Sequence, residues 1–135
     1  MADHLLRVVF VCVENSCRSQ LAQALMNIHS QGRVEAHSAG SRPSGVVNPK
    51  AIATMKEIGY DLTTHASKGL NAVPDVELDA AITMGCGDEC PLVRARIRED
   101  WGIPDPKHMN PDEFRTVRNQ IESNVLKLLE RLGVR

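Results

Sequence analysis

The sequence predicts an α/β fold, a small parallel sheet with helices on both faces, and three observations carry that expectation. Short apolar runs rich in β-branched residues alternate with segments of helical periodicity, the order that builds parallel sheets. The chain has 135 residues, which is room for one ordinary domain spanning 1–135. Its composition, 42% hydrophobic and 24% charged, is that of a chain able to bury a sizeable core rather than of a disordered one.

Residues 5–11, Leu-Leu-Arg-Val-Val-Phe-Val, form the first expected strand, buried on both faces, and lead straight into Cys12. From Ser19 the period changes. Leu21, Leu25 and Ile28 recur at i, i+4 and i+7, so a helix is expected to end near Gly32. Residues 34–38 make a second strand, closed by Ala39-Gly40 and a loop of Ser, Gly and Pro as far as Val47. Asn48-Pro49 then combines an N-cap with proline at the first helical position, and Ile52, Met55 and Ile58 continue a helix that Gly59 stops. Residues 79–84 read as a third buried strand whose end carries Cys86 and Cys90. Residues 99–101 are expected to form a short fourth strand before the proline-bracketed loop Ile103-Pro104-Asp105-Pro106. The last helix opens on Asn110-Pro111-Asp112-Glu113 and follows the stripe Val117, Ile121, Val125, Leu128 and Leu132. Sites in such sheets form at the carboxyl ends of strands, and Cys12, Cys86 and Asp105 all follow expected strand ends.

Charge and composition narrow the partners. Sixteen Lys+Arg against seventeen Asp+Glu give a net charge of −1, which offers no general attraction to nucleic acid or an anionic membrane. The longest apolar stretch near the start, 8–13, is too short for a membrane span and no small-residue cleavage site follows it, so a cytoplasmic location is expected. Aromatic residues are 3% of the chain, too few for a base-stacking platform.

The strongest chemical signal is Cys12-Val13-Glu14-Asn15-Ser16-Cys17-Arg18-Ser19, a C-x5-R-S loop between a buried strand and an amphipathic helix. A turn of this length can aim the backbone N–H groups of Val13, Glu14, Asn15, Ser16 and Cys17 inward as a nest for a tetrahedral oxyanion, at the positive end of the next helix. Arg18 would close the cradle with two parallel donors, and Ser19 would donate its hydroxyl to a Cys12 thiolate acting as nucleophile. Asn15 tolerates a left-handed turn and can lock the loop through its amide. Cys17 is expected to be a packed structural thiol.

Cys86 and Cys90 are four residues apart, close enough on one turn for a disulfide, which spans up to roughly 7 Å between Cα atoms. Gly85 and Gly87 give Cys86 backbone freedom to swing toward Cys12. Three other readings stay open from the residues alone: a structural zinc held by two cysteine pairs, a stable disulfide, and two inert thiols. Zinc would consume the nucleophile and leave Arg18 without purpose, so no metal is expected. Asp105 between two prolines is either an ordinary turn residue or an acid held above the cradle, able to protonate a leaving oxygen.

The loop C-V-E-N-S-C-R-S-Q resembles the active-site loop shared by low-molecular-weight protein tyrosine phosphatases and thiol-linked arsenate reductases. The resemblance extends through Ser38-Ala39-Gly40, Val47-Asn48-Pro49 with Ile52 and Met55, the segment from Met84 to Pro91, and Asp100-Trp101 to Asp105-Pro106. It implies a single domain with a four-stranded parallel sheet, an oxyanion site in the first loop, and Asp105 as general acid. Arg18-Ser19-Gln20 is similar to the arsenate reductases, where the phosphatases usually read R-S-P. Lys107 and His108 stand where phosphatases usually carry aromatic residues, which favours a small inorganic anion. Glu14 departs from a common glycine, and its side chain is expected to point away from the anion. Some relatives bind potassium near this loop through acidic residues; Gln23 and Lys68 stand at those positions, so that ion is not expected here. The resemblance implies that Cys12 attacks arsenate, that Cys86 attacks Cys12, and that Cys90 resolves the disulfide. No bound cofactor is then needed, and an external thiol, thioredoxin or a low-molecular-weight one, recycles the chain. The alternatives are a tyrosine phosphatase with a phospho-Cys12 intermediate, and a non-catalytic oxyanion-binding or redox-sensing module.

Overall fold

A computed structural model describes residues 5–74, 76–85 and 93–134. Strand β1, Leu6–Cys12, is central, because both faces of Val8, Val9, Phe10 and Val11 are buried completely and such a strand needs neighbours on both sides. It pairs in parallel with β2, Val34–Gly40, on one side and β3, Leu78–Thr83, on the other; β4, Ala95–Asp100, pairs in parallel with β3 at the far edge. The order is β2-β1-β3-β4, the four-stranded parallel sheet that was expected.

Side-chain alternation divides the sheet between two cores. Val8, Phe10, Ala80 and Ile82 face the helices α1, Arg18–Ser30, α2, Pro49–Lys56, and α3, Pro111–Arg131, through Leu21, Leu25, Met55, Phe114, Ile121 and Val125. Val9, Val11 and Ala81 face the other way. Among the described residues that second face is covered by the 3-10 turn Leu70–Ala72, with Leu70, Val73 and Val93 packed on it.

The caps that the sequence promised position the helices. Asn48 accepts from Lys50 N at 2.8 Å to start α2, and Asn110 and Glu113 form a reciprocal capping box at α3, with bonds of 2.9 and 3.1 Å. The expected fourth strand at 99–101 is corrected: β4 begins four residues earlier and ends at Asp100. Among the described residues it is an edge strand with one partner, so Arg96 and Arg98 stand exposed in alternation with partly buried Ile97 and Glu99, and no apolar run marks it. The second helix likewise ends at Lys56, with 57–59 in a turn. A second 3-10 turn, Leu62–Thr64, starts where Asp61 accepts from Thr63 N; the sequence reading placed nothing there. Trp101 stacks obliquely on Phe10 with ring centroids 5.7 Å apart, which ties the chain just past β4 to the central strand and so sets where the Asp105 loop begins.

Candidate active site

Residues 13–17 join the end of β1 to the start of α1, and their peptide planes are fixed from outside. The carbonyl of Cys12 accepts from Ser41 N at 3.3 Å, that of Val13 from Arg42 N at 2.8 Å, that of Glu14 from Ser44 N at 3.1 Å, and that of Ser16 from Asn48 N at 3.0 Å. The Asn15 carbonyl accepts from Gln20 Nε2 at 3.0 Å. A planar trans peptide points its N–H opposite to its C=O, so five outward carbonyls turn the N–H groups of Val13, Glu14, Asn15, Ser16 and Cys17 to the inside of the loop. Five such donors together suit a tetrahedral oxyanion.

Asn15 makes this turn possible. Its φ is +52°, and its side-chain oxygen accepts from Lys68 N at 2.8 Å and Gln20 Nε2 at 3.0 Å while its amide donates to Ser19 Oγ at 2.7 Å. With its oxygen thus engaged as an acceptor, the Ser19 hydroxyl is free to donate to Cys12 Sγ, 2.9 Å away. Ser19→Ala is expected to slow Cys12 alkylation by iodoacetamide at neutral pH about tenfold, through the loss of the hydrogen bond to the attacking sulfur. Mass spectrometry of the Cys12 peptide against time checks it.

Gln20 extends the same chain of bonds. Its amide is spent on Asn15 and on Ala66 O, so its oxygen accepts from His65 Nδ1 at 2.9 Å, and His65 Nε2 then accepts from the Tyr60 hydroxyl at 2.7 Å. That tautomer requires a neutral ring. Burial, with the nearby Lys68 ammonium, depresses the His65 pKa to about 4. Between its usual value and about 4 the unfolded chain takes up a proton that folded His65 refuses, so stability falls as pH drops through that window. Urea unfolding at pH 7 and pH 4.5 should show the fall, reduced in His65→Gln.

Arg18 enters from the first turn of α1 and is almost wholly buried. Its Nη1 donates to Met84 O at 2.6 Å and to Ile103 O at 3.0 Å, which leaves the Nε–Nη2 edge turned to the cavity. Asp105 stands across from that edge, its Oδ2 3.9 Å from Nη2. A cavity of about 180 Å³ is lined by Cys12, Val13, Glu14, Ser16, Cys17, Arg18, Asp105 and Lys107. The fold thus brings Asp105 to Cys12 and Arg18, joining two separate stretches of sequence. Cys86 and Cys90 lie outside the described residues.

The Cys17 thiol lines the same cavity, yet burial, with help from the Asp105 carboxylate, pushes its pKa up to about 12, so it stays protonated. Glu14 lines the cavity, and its carboxylate accepts from Lys107 Nζ at 3.0 Å, drawn there by the opposite charge. Gln23 accepts from Ser38 Oγ at 2.6 Å, and the Lys68 ammonium donates to that same hydroxyl and to Ala66 O.

Two positioning roles escaped the sequence reading. Gly40 ends β2 beside the loop, where a Cβ would sit 2.5 Å from Val13 O and 2.9 Å from Asn15 N, so only glycine lets the strand come that close. Gly40→Ala must displace the loop, with an expected loss of about 1–3 kcal/mol of stability and roughly tenfold weaker phosphate binding; thermal unfolding and phosphate titration check both. Lys50 donates from α2 to Lys107 O and Met109 O, clamping the segment after Asp105. Its separation from 107 along the chain hides that contact from any local pattern.

Comparison with known proteins follows the same lines. The model of the family described as low molecular weight phosphotyrosine protein phosphatase matches residues 7–135. A glutaredoxin arsenate reductase of Synechocystis sp. is 36% identical over 130 residues, covering 94% of this chain and 98% of that protein. Arsenate reductase 1 of Staphylococcus epidermidis is 34% identical over 122 residues, 87% of this chain and 91% of its own. Among solved structures, an arsenate reductase in the phosphate binding state superposes with a TM-score of 0.85 at 36% identity, covering 93% and 98% of the two chains. A thioredoxin-dependent arsenate reductase of Corynebacterium glutamicum gives 0.77 at 28% identity, covering 98% of this chain and 64% of that one. No helix among the described residues is long and apolar enough to cross a membrane.

Proposed function

We propose that this chain, which belongs to the low molecular weight phosphotyrosine protein phosphatase family, reduces arsenate to arsenite through a covalent adduct on Cys12. The observation that carries the proposal is the single cavity in which Cys12, taking a hydrogen bond from Ser19, sits under inward amides and the free edge of Arg18. Arsenate copies phosphate in shape and charge, and the amides with Arg18 hold three of its oxygens. The Cys12 thiolate attacks arsenic; the As–O bond to the fourth oxygen breaks, and that oxygen takes a proton from Asp105 and leaves as water. The Cys86 thiolate then attacks Cys12 Sγ. The S–As bond breaks with its electron pair going to arsenic, which leaves as arsenite, and a Cys12–Cys86 disulfide remains. Cys90 attacks Cys86, frees Cys12 as a thiolate, and leaves a Cys86–Cys90 disulfide for an external dithiol to reduce.

Thioredoxin is the proposed reductant, with a low-molecular-weight thiol as the other candidate; the named relatives include a thioredoxin-dependent enzyme and one called a glutaredoxin arsenate reductase. The reaction has balanced electrons, two from the thiols reducing arsenic by two. The deciding assay measures arsenate-dependent consumption of reductant with thioredoxin and its reductase in one arm and glutathione with glutaredoxin in the other. Consumption stoichiometric with arsenite in either arm supports the proposal and names the reductant class. Phosphotyrosine hydrolysis with no consumption in either arm decides for the phosphatase reading, and oxyanion binding without turnover decides for a sensing module.

A further inference from the structure

We infer that the ion pair between Glu14 and Lys107 is a latch across the mouth of the Cys12 cavity that selects inorganic tetrahedral oxyanions over phosphomonoesters; the inference deepens the arsenate reading and rests on it for the identity of the bound anion. The two residues come from separate segments, Glu14 from the loop between β1 and α1 and Lys107 from the segment between β4 and α3, and both line the cavity. Their side chains meet with Lys107 Nζ 3.0 Å from Glu14 Oε2. Atoms at hydrogen-bond distance leave no gap between them. An anion whose oxygens are held by the loop amides and by Arg18 directs any substituent outward through that mouth, so a leaving group as thick as an aromatic ring has to part the pair.

Both ends of the latch are fastened at the backbone. The Glu14 carbonyl accepts from Ser44 N at 3.1 Å and Ser67 Oγ at 2.9 Å. Lys107 N donates to Asp105 Oδ1 at 3.1 Å, while the Lys107 carbonyl accepts from Lys50 Nζ at 3.2 Å. The walls therefore stay put, and opening is a matter of side-chain rotation. Lys107 and Glu14 are 38% and 41% exposed, and an ion pair that open to water is weak, so it yields to an occasional bulky anion rather than excluding it. Selectivity of a few fold is the expected scale.

The test measures protection of Cys12 from iodoacetamide by inorganic phosphate and by phenyl phosphate, and takes the ratio of the two half-protecting concentrations. It is run on the full chain and on Glu14→Gln, Lys107→Met and the double variant, all close in shape to the originals. Glu14→Gln removes a negative charge and Lys107→Met a positive one, so their general effects on anion affinity are opposite in sign and cancel in the ratio. A latch predicts that both single variants shift the ratio toward phenyl phosphate, by about three- to fivefold, and that the double variant goes no further than either. A ratio unmoved in both, or moved in opposite directions, overturns it, as does a double variant at the product of the singles. The readout needs no turnover, so an absence of arsenate reduction would defeat the proposed function while leaving the latch measurable.

Discussion

Arg18→Lys is expected to lower kcat/KM for arsenate by about 10²–10³-fold, the scale seen when one preorganised donor to a developing oxyanion is removed. The geometry explains why so conservative a change does so much. A guanidinium divides its labour here: Nη1 is spent on the carbonyls of Met84 and Ile103, and the Nε–Nη2 edge faces the cavity. Lysine has one nitrogen, which can satisfy the carbonyls or the anion but not both in fixed geometry. If the ammonium turns to the anion, two carbonyls beside a buried side chain lose their donor, and stability drops by about 1–3 kcal/mol. Steady-state kinetics and urea unfolding on the same preparation separate the two roles. Lost stability with unchanged kcat/KM would make Arg18 a strut between β3 and the Asp105 loop, and the anion would be left to the amides.

The parts that were legible in the sequence are those whose cause is local. The run into Cys12 shows that β1 is buried on both faces, and the eight residues from Cys12 to Ser19 state the loop, its left-handed Asn15 and the start of α1. The Asn110 capping box can be read because its two partners are three residues apart. Contacts made at long range left no such mark. Nothing near Glu14 announces Lys107, ninety-three positions away, and nothing near Gln20 announces His65. Gly40 belonged to the quoted resemblance, but its reason, the approach of β2 to the loop, exists only in three dimensions. Edge position hid β4, since one paired side and a solvated face demand few apolar residues. The 3-10 turn at Leu62–Thr64 is held by the Asp61 cap and one buried leucine, too short a pattern to stand out.

Cys86→Ser is expected to abolish steady-state arsenate reduction while leaving any hydrolysis of an aryl phosphate within about twofold of the parent chain. In the proposed mechanism the two reactions share every step up to the adduct on Cys12 and then part. A phosphoryl adduct is opened by water attacking phosphorus, and no electrons move, so no second thiol is called for. An arsenic adduct has to lose an S–As bond with both electrons going to arsenic, and the sulfur left behind must be taken up by a nucleophile that can itself be oxidised. A serine oxygen cannot do this. In the described chain, Met84 O accepts from Arg18 Nη1, and Gly85, at φ +90°, donates its N–H to Asp100 Oδ1. In the variant, arsenate should still protect Cys12 from iodoacetamide, because the anion site is intact, and mass spectrometry should find no disulfide on Cys12 after exposure to arsenate. Sustained arsenite production by Cys86→Ser at the parent rate would show that an outside thiol attacks the adduct directly, and Cys86 and Cys90 would then have no part in the reaction.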